Sequence, residues 1–305
     1  MEREILKSHL DHLAMNSELL LRLLSHLSHG PPRHLAFSKR GLILSLDDEN
    51  LRFHWHPEDP RTAIASLVVQ GTYEPVVTDL FKQLLPNLNE FLDVGANVGY
   101  YSVMFGILGH ERLAIHAFEP FMQSLEVLEA NLELNRLSTK VKVHKFALGN
   151  SDGSAQLFVP KRSGTSAASL ADLHPDEQNS IVTIETRRLD SVFPSTGLKN
   201  LDLVKIDVEG AEAQVIEGGW ETISKFKPMI FAELLRKWSS KFGYHPNEVV
   251  VSLASLGYEC FAVGEKLRHI HEIDEETPET NFFFLSDSKS HAATRKHLCS
   301  IGLIH

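Results

Sequence analysis

The sequence predicts an α/β protein: a mainly parallel sheet with helices on both faces. Three observations predict it. Strand-like and helix-like segments alternate from about residue 65 onward. A short buried strand over residues 91–94 runs straight into a turn made from Gly95 and Gly99. The next strand ends in an acid, Glu119, followed by Pro120.

Residues 1–30 read as a helix, because Leu6, Leu13, Leu20 and Leu27 recur every seven positions while Leu10, Leu23 and Leu24 widen the stripe. His9 and Asn16 interrupt the companion positions, so a long coiled coil is not expected, and Gly30-Pro31-Pro32 ends the helix. It packs on its own chain or serves a partner, which leaves a homo-oligomer open. Residues 34–57 read as short strands with a turn at 47–50. In the α/β part, helices are expected over 74–85, through Leu108, across Leu125, Leu128 and Leu132, and over 211–226 and 246–256. Strands are expected over 113–118, 141–148, 201–206, 229–232, 258–263 and 282–285. Residues 149–190 interrupt the alternation with two strands, 155–159 and 181–186, and a small-residue loop, 163–169, on the ligand side of the sheet. The expected division is an N-terminal helix and β extension over 1–64, a main domain over 65–288 and a tail over 289–305.

The chain has 305 residues, 43% of them apolar and 23% charged, enough for a sizeable core without staples. A net charge of −10 argues against a nucleic-acid coat, and Lys161-Arg162 and Arg187-Arg188 read as solvated surface. Cys260 and Cys299 form no C-x-x-C, which excludes a cysteine-ligated zinc and disfavours a disulfide scaffold; a cytoplasmic location is expected. No secretory signal or apolar run of about 18 residues is visible. The histidine pairs 26/29, 54/56 and 269/271 are too small for metal sites, and no metal is expected.

The chemistry concentrates at Asp93-Val94-Gly95-Ala96-Asn97-Val98-Gly99. Glycine permits the tight bend, and the free N–H groups of the next helix would face a ligand. A dinucleotide fingerprint would need a further glycine where Ala96 and Asn97 stand. An amino-acid carboxylate suits those N–H groups, Asp93 suits an ammonium, and Glu119 is placed for the two hydroxyls of a ribose. An adenosine joined to a zwitterionic amino acid describes S-adenosylmethionine.

These residues resemble the FkbM family of methyltransferases. The matching stretches run in family order: Gly71-Thr72-Tyr73-Glu74, residues 93–102, Ala117-Phe118-Glu119-Pro120, Asn131 with Asn135, Ala147-Leu148-Gly149, Leu189-Asp190, Lys205-Ile206-Asp207-Val208-Glu209-Gly210-Ala211-Glu212, Glu233, and Asn281-Phe282-Phe283-Phe284. Arg188 stands where the family often has threonine. The resemblance implies a class I methyltransferase (Rossmann-like) fold, doubly wound and seven-stranded with the last strand antiparallel. It implies cofactor contacts at Asp93, Gly95, Asn97, Gly99 and Glu119, with Glu74 nearby and Phe146 and Ala147 beside the adenine. Ala96, Pro120 and Asp207 complete the expected cofactor-binding set.

Methyl transfer needs an acceptor oxygen aligned with the methyl carbon and a base for one proton. Asp207, at the carboxyl end of the fourth strand, is the first choice, followed by Glu209 and Glu233. Two alternatives stay open: Asp207 and Glu209 as helix-start carboxylates, and a divalent ion on Asp207 and Glu233. The expected acceptor is a small molecule or glycan with a hydroxyl on a sugar, glycolipid or natural product. The rival readings are a non-catalytic cofactor-binding or assembly module and a nucleotide-dependent oxidoreductase.

Overall fold

The computed structural model describes residues 33–38, 41–46, 48–56, 62–162 and 164–304, so the helix expected over 1–30, with its role in assembly, lies outside the described residues. The chain opens with a three-stranded antiparallel sheet, β1 (Arg33–Ser38), β2 (Gly41–Leu46) and β3 (Leu51–Trp55), as the sequence predicts. The helices α1 (Ala63–Gln70) and α2 (Pro75–Leu84) lead into the main body. Its parallel strands are β4 (Glu90–Val94), β5 (Ala114–Phe118), β6 (Val141–His144), β10 (Leu203–Ile206) and β11 (Met229–Glu233). The helices between them include α3 (Tyr100–Leu108), α4 (Met122–Leu134), α5 (Leu189–Thr196), α6 (Glu212–Gly218) and α7 (Trp220–Phe226), and α8 (Arg236–Ser239) and α9 (Pro246–Ser255) follow β11.

The last strand, β14 (Asn281–Ser286), inserts antiparallel between β11 and β12 (Tyr258–Val263), giving the class I methyltransferase arrangement. The central sheet holds eight strands where seven are expected. After Gly264 the chain folds back and adds β13 (Leu267–Ile270) to the edge, where only its end residues are buried. So sparse an apolar pattern gives little strand signal. The chain direction across the sheet reverses beside β4, whose neighbours are β5 on one side and β10 on the other. Loops leaving adjacent parallel strands there diverge and open a crevice.

Three further segments depart from the sequence reading. The strand expected over 141–148 breaks at Lys145 and Phe146, and β7 (Ala147–Leu148) joins a separate sheet with β8 (Gly153–Pro160) and β9 (Asn179–Arg187). The helix expected over 211–226 divides at Gly218-Gly219 into α6 and α7. The C-terminal segment forms α10 (Lys289–Ser300) and buries Leu298 and Ile304 in the cluster that also holds Leu44 and Phe53. The β extension and the C-terminal segment therefore share the core of the α/β body. Among the described residues, no helix is long and apolar enough to cross a membrane.

The two asparagines of the family pattern fasten this extension to the site. Asn131 accepts from the His54 N–H at 2.7 Å and donates to the Val98 carbonyl at 2.8 Å. Asn135 exchanges bonds with both backbone groups of Arg52. Buried backbone groups need such partners, and here the partners link β3 to the bend after β4 through α4.

Candidate active site

A cavity of about 280 Å³ lies at the carboxyl ends of β4, β5, β10 and β11. Among the expected cofactor residues, Glu74, Gly95, Ala96, Asn97, Glu119, Pro120, Ala147 and Asp207 line it, and so do Glu209 and Glu233. Asp93, Gly99 and Phe146 do not.

The bend takes left-handed backbone at Gly95 (φ 78°), Asn97 (φ 48°) and Gly99 (φ 84°). Packing adds a second demand for glycine. A Cβ at Gly95 would lie 1.9 Å from the Asp207 carbonyl oxygen, and one at Gly99 would lie 2.3 Å from Leu128 Cδ1. Neighbouring protein, as well as any ligand, therefore requires the two glycines. The N–H groups of the bend itself, which precedes the helix whose N–H groups are expected to face a ligand, are satisfied within the protein. Gly95 and Ala96 donate to the Phe118 carbonyl, Asn97 to Glu119, Val98 to its neighbour's side chain and Gly99 to Ala96. A bend this tight satisfies its own donors.

Glu119 is buried on the cavity wall. Its Oε2 accepts from the Asn97 N–H and its Oε1 from the Phe121 N–H, both at 2.8 Å. Burial pushes its carboxyl up to about 7, against the pull of those two donors. Asp93 lies beneath the cavity, 1% exposed, and accepts from the Ser102 hydroxyl at 2.7 Å. Its other oxygen stands 3.7 Å from the Lys205 ammonium. Asp93 is thus a brace for α3 and β10, and an ammonium in the cavity could not reach it without displacing Lys205. Phe146 packs on Phe118 and under the Arg187 guanidinium, so only Ala147 of that pair faces the cavity.

On the β10–β11 side, Lys205 is 2% exposed and bridges Asp93 to Asp207, whose Oδ2 it reaches at 3.0 Å. Burial pulls its ammonium down, yet Asp207 and Asp93 outweigh this and hold it above its ordinary range. Asp207, Glu209 and Glu233 bring carboxylate oxygens within 4.8 Å of one another. Glu209 is thus the third oxygen ligand that a hard cation would need beside Asp207 and Glu233. Burial first, then repulsion from Asp207, pushes the Glu209 carboxyl up to about 8. The same causes, with Glu209 and Glu74 added, raise Glu233 strongly. Asp207 stands among the causes of that rise, and its carboxylate lies within 4.8 Å of the Glu233 carboxylate. Glu74 is raised by burial and by Asp207, and it accepts a hydrogen bond from the Tyr101 hydroxyl.

Local backbone fixes these acids. Glu74 (φ 41°) and Glu209 (φ 53°) both hold left-handed conformations uncommon for non-glycine residues, as Asn97 does. The turn that carries Glu209 is held by buried Glu212, which accepts from the Val208 and Gly210 N–H groups at 3.2 and 3.0 Å. Tyr244 donates to the Gly210 carbonyl and to Glu212. The loop between β8 and β9 covers the cavity, as expected from its place in the chain. Thr165, Ser166, Ala168, Ser169 and Leu170 line it, and Ser169 Oγ donates to the Glu209 carbonyl at 2.7 Å.

Sequence reasoning missed Tyr73 and Tyr101 as wall residues. Both fall in matched stretches, but an aromatic beside a helix start reads equally well as core. Lys205, named only within a matched stretch, pairs with Asp93 and lines the cavity as well.

Comparison with known proteins gives this geometry a lineage. Residues 93–260 match the model of the methyltransferase FkbM domain, more than half of the chain. The chain belongs to the FkbM methyltransferase family. It is 30% identical over 198 residues to methyltransferase sdnD of Sordaria araneosa, covering 53% of this chain and 74% of that one. It is 28% identical over 204 residues to the 2-O-methyltransferase NoeI of Sinorhizobium fredii, covering 62% and 77%. A solved FkbM methyltransferase from Methylobacillus flagellatus overlays with a TM-score of 0.42 at 16% identity, covering 67% of this chain and 47% of that chain. The chain thus spans about half the length of that solved relative, while it covers about three quarters of each of these two curated ones.

Proposed function

We propose that this methyltransferase uses S-adenosylmethionine to methylate a hydroxyl oxygen on a small-molecule or glycan acceptor: a sugar, a glycolipid or a natural product. One observation carries the reading. A single cavity has a fixed acid at the end of β5 and a group of acids beyond β10 and β11, on opposite sides of the glycine bend. The donor set fits the cofactor. Each Glu119 oxygen is held by one backbone N–H and keeps lone pairs for a ribose hydroxyl. Pro120 and Ala147 would flank the adenosine, and the carboxylates across the bend suit the cofactor's cationic groups. When bound, the cofactor supplies a methyl group on positively charged sulfur, already activated for displacement.

The chain's own work is positioning and proton transfer. Asp207, anchored by the Lys205 ammonium, takes the acceptor's hydroxyl proton on a carboxylate oxygen. Glu233, whose carboxylate lies within 4.8 Å of that of Asp207, lines the same side of the cavity. Glu209, on its strained turn, closes the acceptor side. The loop 164–170 covers the cavity and limits water. Oxygen as the acceptor atom draws support from the relatives NoeI, a 2-O-methyltransferase, and the 31-O-demethyl-FK506 methyltransferase of Streptomyces tacrolimicus. Two free cysteines suit a cytoplasmic location.

The test is calorimetric titration with S-adenosylmethionine, followed by mass spectrometry of a metabolite and glycan extract incubated with methyl-labelled cofactor. Micromolar binding and a labelled hydroxyl product are expected. Folded protein that binds no cofactor defeats the reading. Binding without transfer to any acceptor favours the non-catalytic module instead.

A further inference from the structure

We propose that Tyr73 is a further residue of the transfer site, its phenol hydroxyl donating a hydrogen bond to the acceptor oxygen and so aligning that oxygen for attack. This rests on the transfer reading above and adds a substrate contact to the same site. Tyr73 lies in the loop between α1 and α2, and it lines the cavity. Neighbouring rings fix its own. It stands edge-on to Tyr100, with centroids 5.0 Å apart and planes at 75°, and it tilts against Tyr101 at 6.1 Å. Its carbonyl accepts from the Thr78 hydroxyl at 2.8 Å, which ties the loop to α2.

Its place in the cavity decides which ligand group it serves. The Lys205 ammonium lies over the Tyr101 ring, 5.4 Å from the centroid, and reaches Asp207 at 3.0 Å. Tyr73 therefore packs one ring away from the cation that anchors Asp207. The carboxyls that act most strongly on its phenol are Glu74, Asp207, Glu233 and Glu209, and Glu119 is not one of them. The phenol thus stands on the β10–β11 side of the cavity, where the transfer reading puts the acceptor, and away from the ribose side.

Other donors around it already have partners. Tyr101 donates to Glu74, Tyr100 shares a hydrogen bond with Thr78, and Ser169 donates to the Glu209 carbonyl. Lys205 is held between Asp93 and Asp207. The Tyr73 hydroxyl has no hydrogen-bond partner among the described residues. A phenol, which ordinarily ionises near pH ~10, keeps its proton at neutral pH. Tyr73 is thus a donor and leaves the proton abstraction to Asp207. An alcohol oxygen carries two lone pairs and one proton. One pair forms the new bond to the methyl carbon as the carbon–sulfur bond breaks, its electrons staying on sulfur, and the proton passes to Asp207. The second lone pair is left for Tyr73. Three fixed directions then hold the oxygen against rotation, which is what an in-line attack needs.

The experiment compares the full chain with its Tyr73→Phe variant, which keeps the ring and its packing and removes only the hydroxyl. Each protein is titrated with S-adenosylmethionine by calorimetry and unfolded in urea. Each is also incubated with methyl-labelled cofactor and a dilution series of a metabolite and glycan extract. The variant should bind the cofactor within about twofold of the unsubstituted chain and unfold at the same urea concentration. Its limiting rate of labelling should fall about 10–100-fold, the scale of a misplaced reacting atom, while the extract level giving half that rate moves less than about threefold. An unchanged limiting rate overturns the proposal. So does a fall matched by weaker cofactor binding, which would put the phenol on the cofactor side. A fall matched by a lower unfolding midpoint overturns it too, because Tyr73 would then be a packing residue. No label from the unsubstituted chain, with cofactor bound, defeats the transfer reading itself and this proposal with it.

Discussion

The two sides of the cavity use acids in opposite ways. Beside β5, Glu119 stands apart, with each oxygen held by a backbone N–H of the same short stretch of chain. Beyond β10 and β11, Asp207, Glu209 and Glu233 crowd within 4.8 Å, with Lys205 as their nearby cation. Fixed donors leave Glu119 in one place, ready for a neutral diol. On the other side, burial and then repulsion from neighbouring carboxyls push Glu209 and Glu233 up. In the function proposed above, binding geometry and proton chemistry are separated by the width of one strand, and single substitutions should separate them too.

The largest expected effect is on the crowded side. Asp207→Asn keeps the shape and removes the proton acceptor. Turnover should fall by about 10²–10⁴, the usual worth of a positioned base. The cofactor Kd should change by less than about fivefold. Single-turnover transfer and calorimetry on the same sample read both. Loss confined to cofactor affinity would move Asp207 into the binding side and dissolve the comparison.

Lys205→Met comes next, because it strikes what both sides stand on. It leaves Asp93, 1% exposed, without the one cationic neighbour it has among the described residues. Removing one member of a buried pair costs about 3–5 kcal/mol. Urea unfolding should show that loss, and the double variant K205M/D93N should recover much of it. A loss below about 1 kcal/mol would mean that Asp93 is neutral in the folded protein, in keeping with the upward push that its burial exerts.

Glu119→Gln tests the quiet side. A charged acceptor of two ligand hydroxyls is worth about 1.5–3 kcal/mol, or roughly 10–100-fold in cofactor Kd. Turnover at saturating cofactor should be preserved within about threefold. Because burial lifts this carboxyl to about 7, the ionised acceptor forms only as the pH rises through that value. Cofactor affinity should therefore strengthen between about pH 6 and 8, and the Gln variant should lose that step. Stability runs the other way. A carboxyl lifted above its ordinary 4.5 holds a proton that the unfolded chain has released, so its contribution to stability declines as pH rises from about 4.5 to about 7.

Much of the Glu119 side was legible in the sequence, because its parts are local. A buried strand, a glycine bend and an acid at the next strand's end lie within thirty residues of one another. The crowded side was legible only in its membership. Asp207, Glu209 and Glu233 could be named, but not the convergence that makes Glu209 the third member, because β10 and β11 meet through pairing and not through spacing. The inward-turned N–H groups and the burial of Asp93 were out of reach for a different reason. A strand-end aspartate and a glycine bend look the same whether they face a ligand or brace a neighbouring element. The eighth strand and the C-terminal helix were missed because their apolar residues are few, and tertiary burial of Leu267, Ile270 and Leu298 does what local pattern does not.

The smallest prediction asks whether the loop over the cavity belongs to one side or to both. Ser169 Oγ donates to the Glu209 carbonyl, while the loop's backbone stays pinned by the paired bonds between Ser169 and Phe158. Ser169→Ala should therefore cost about 1–3 kcal/mol, the net worth of two hydrogen bonds, since Ser169 Oγ also accepts from the Ala171 N–H at 3.3 Å. The turn under Glu209 is kept by Glu212, so turnover should hold and the acceptor KM should rise a few-fold. The cofactor Kd carries the informative result. The same loop receives a bond from the Asn97 side chain at the Thr165 carbonyl, 3.4 Å away, and Asn97 in turn holds Glu119. An unchanged Kd would make the loop an acceptor-side cover alone. A Kd that weakens together with KM would show strain passing from Glu209 through the loop to Asn97, so that the two sides close as one unit.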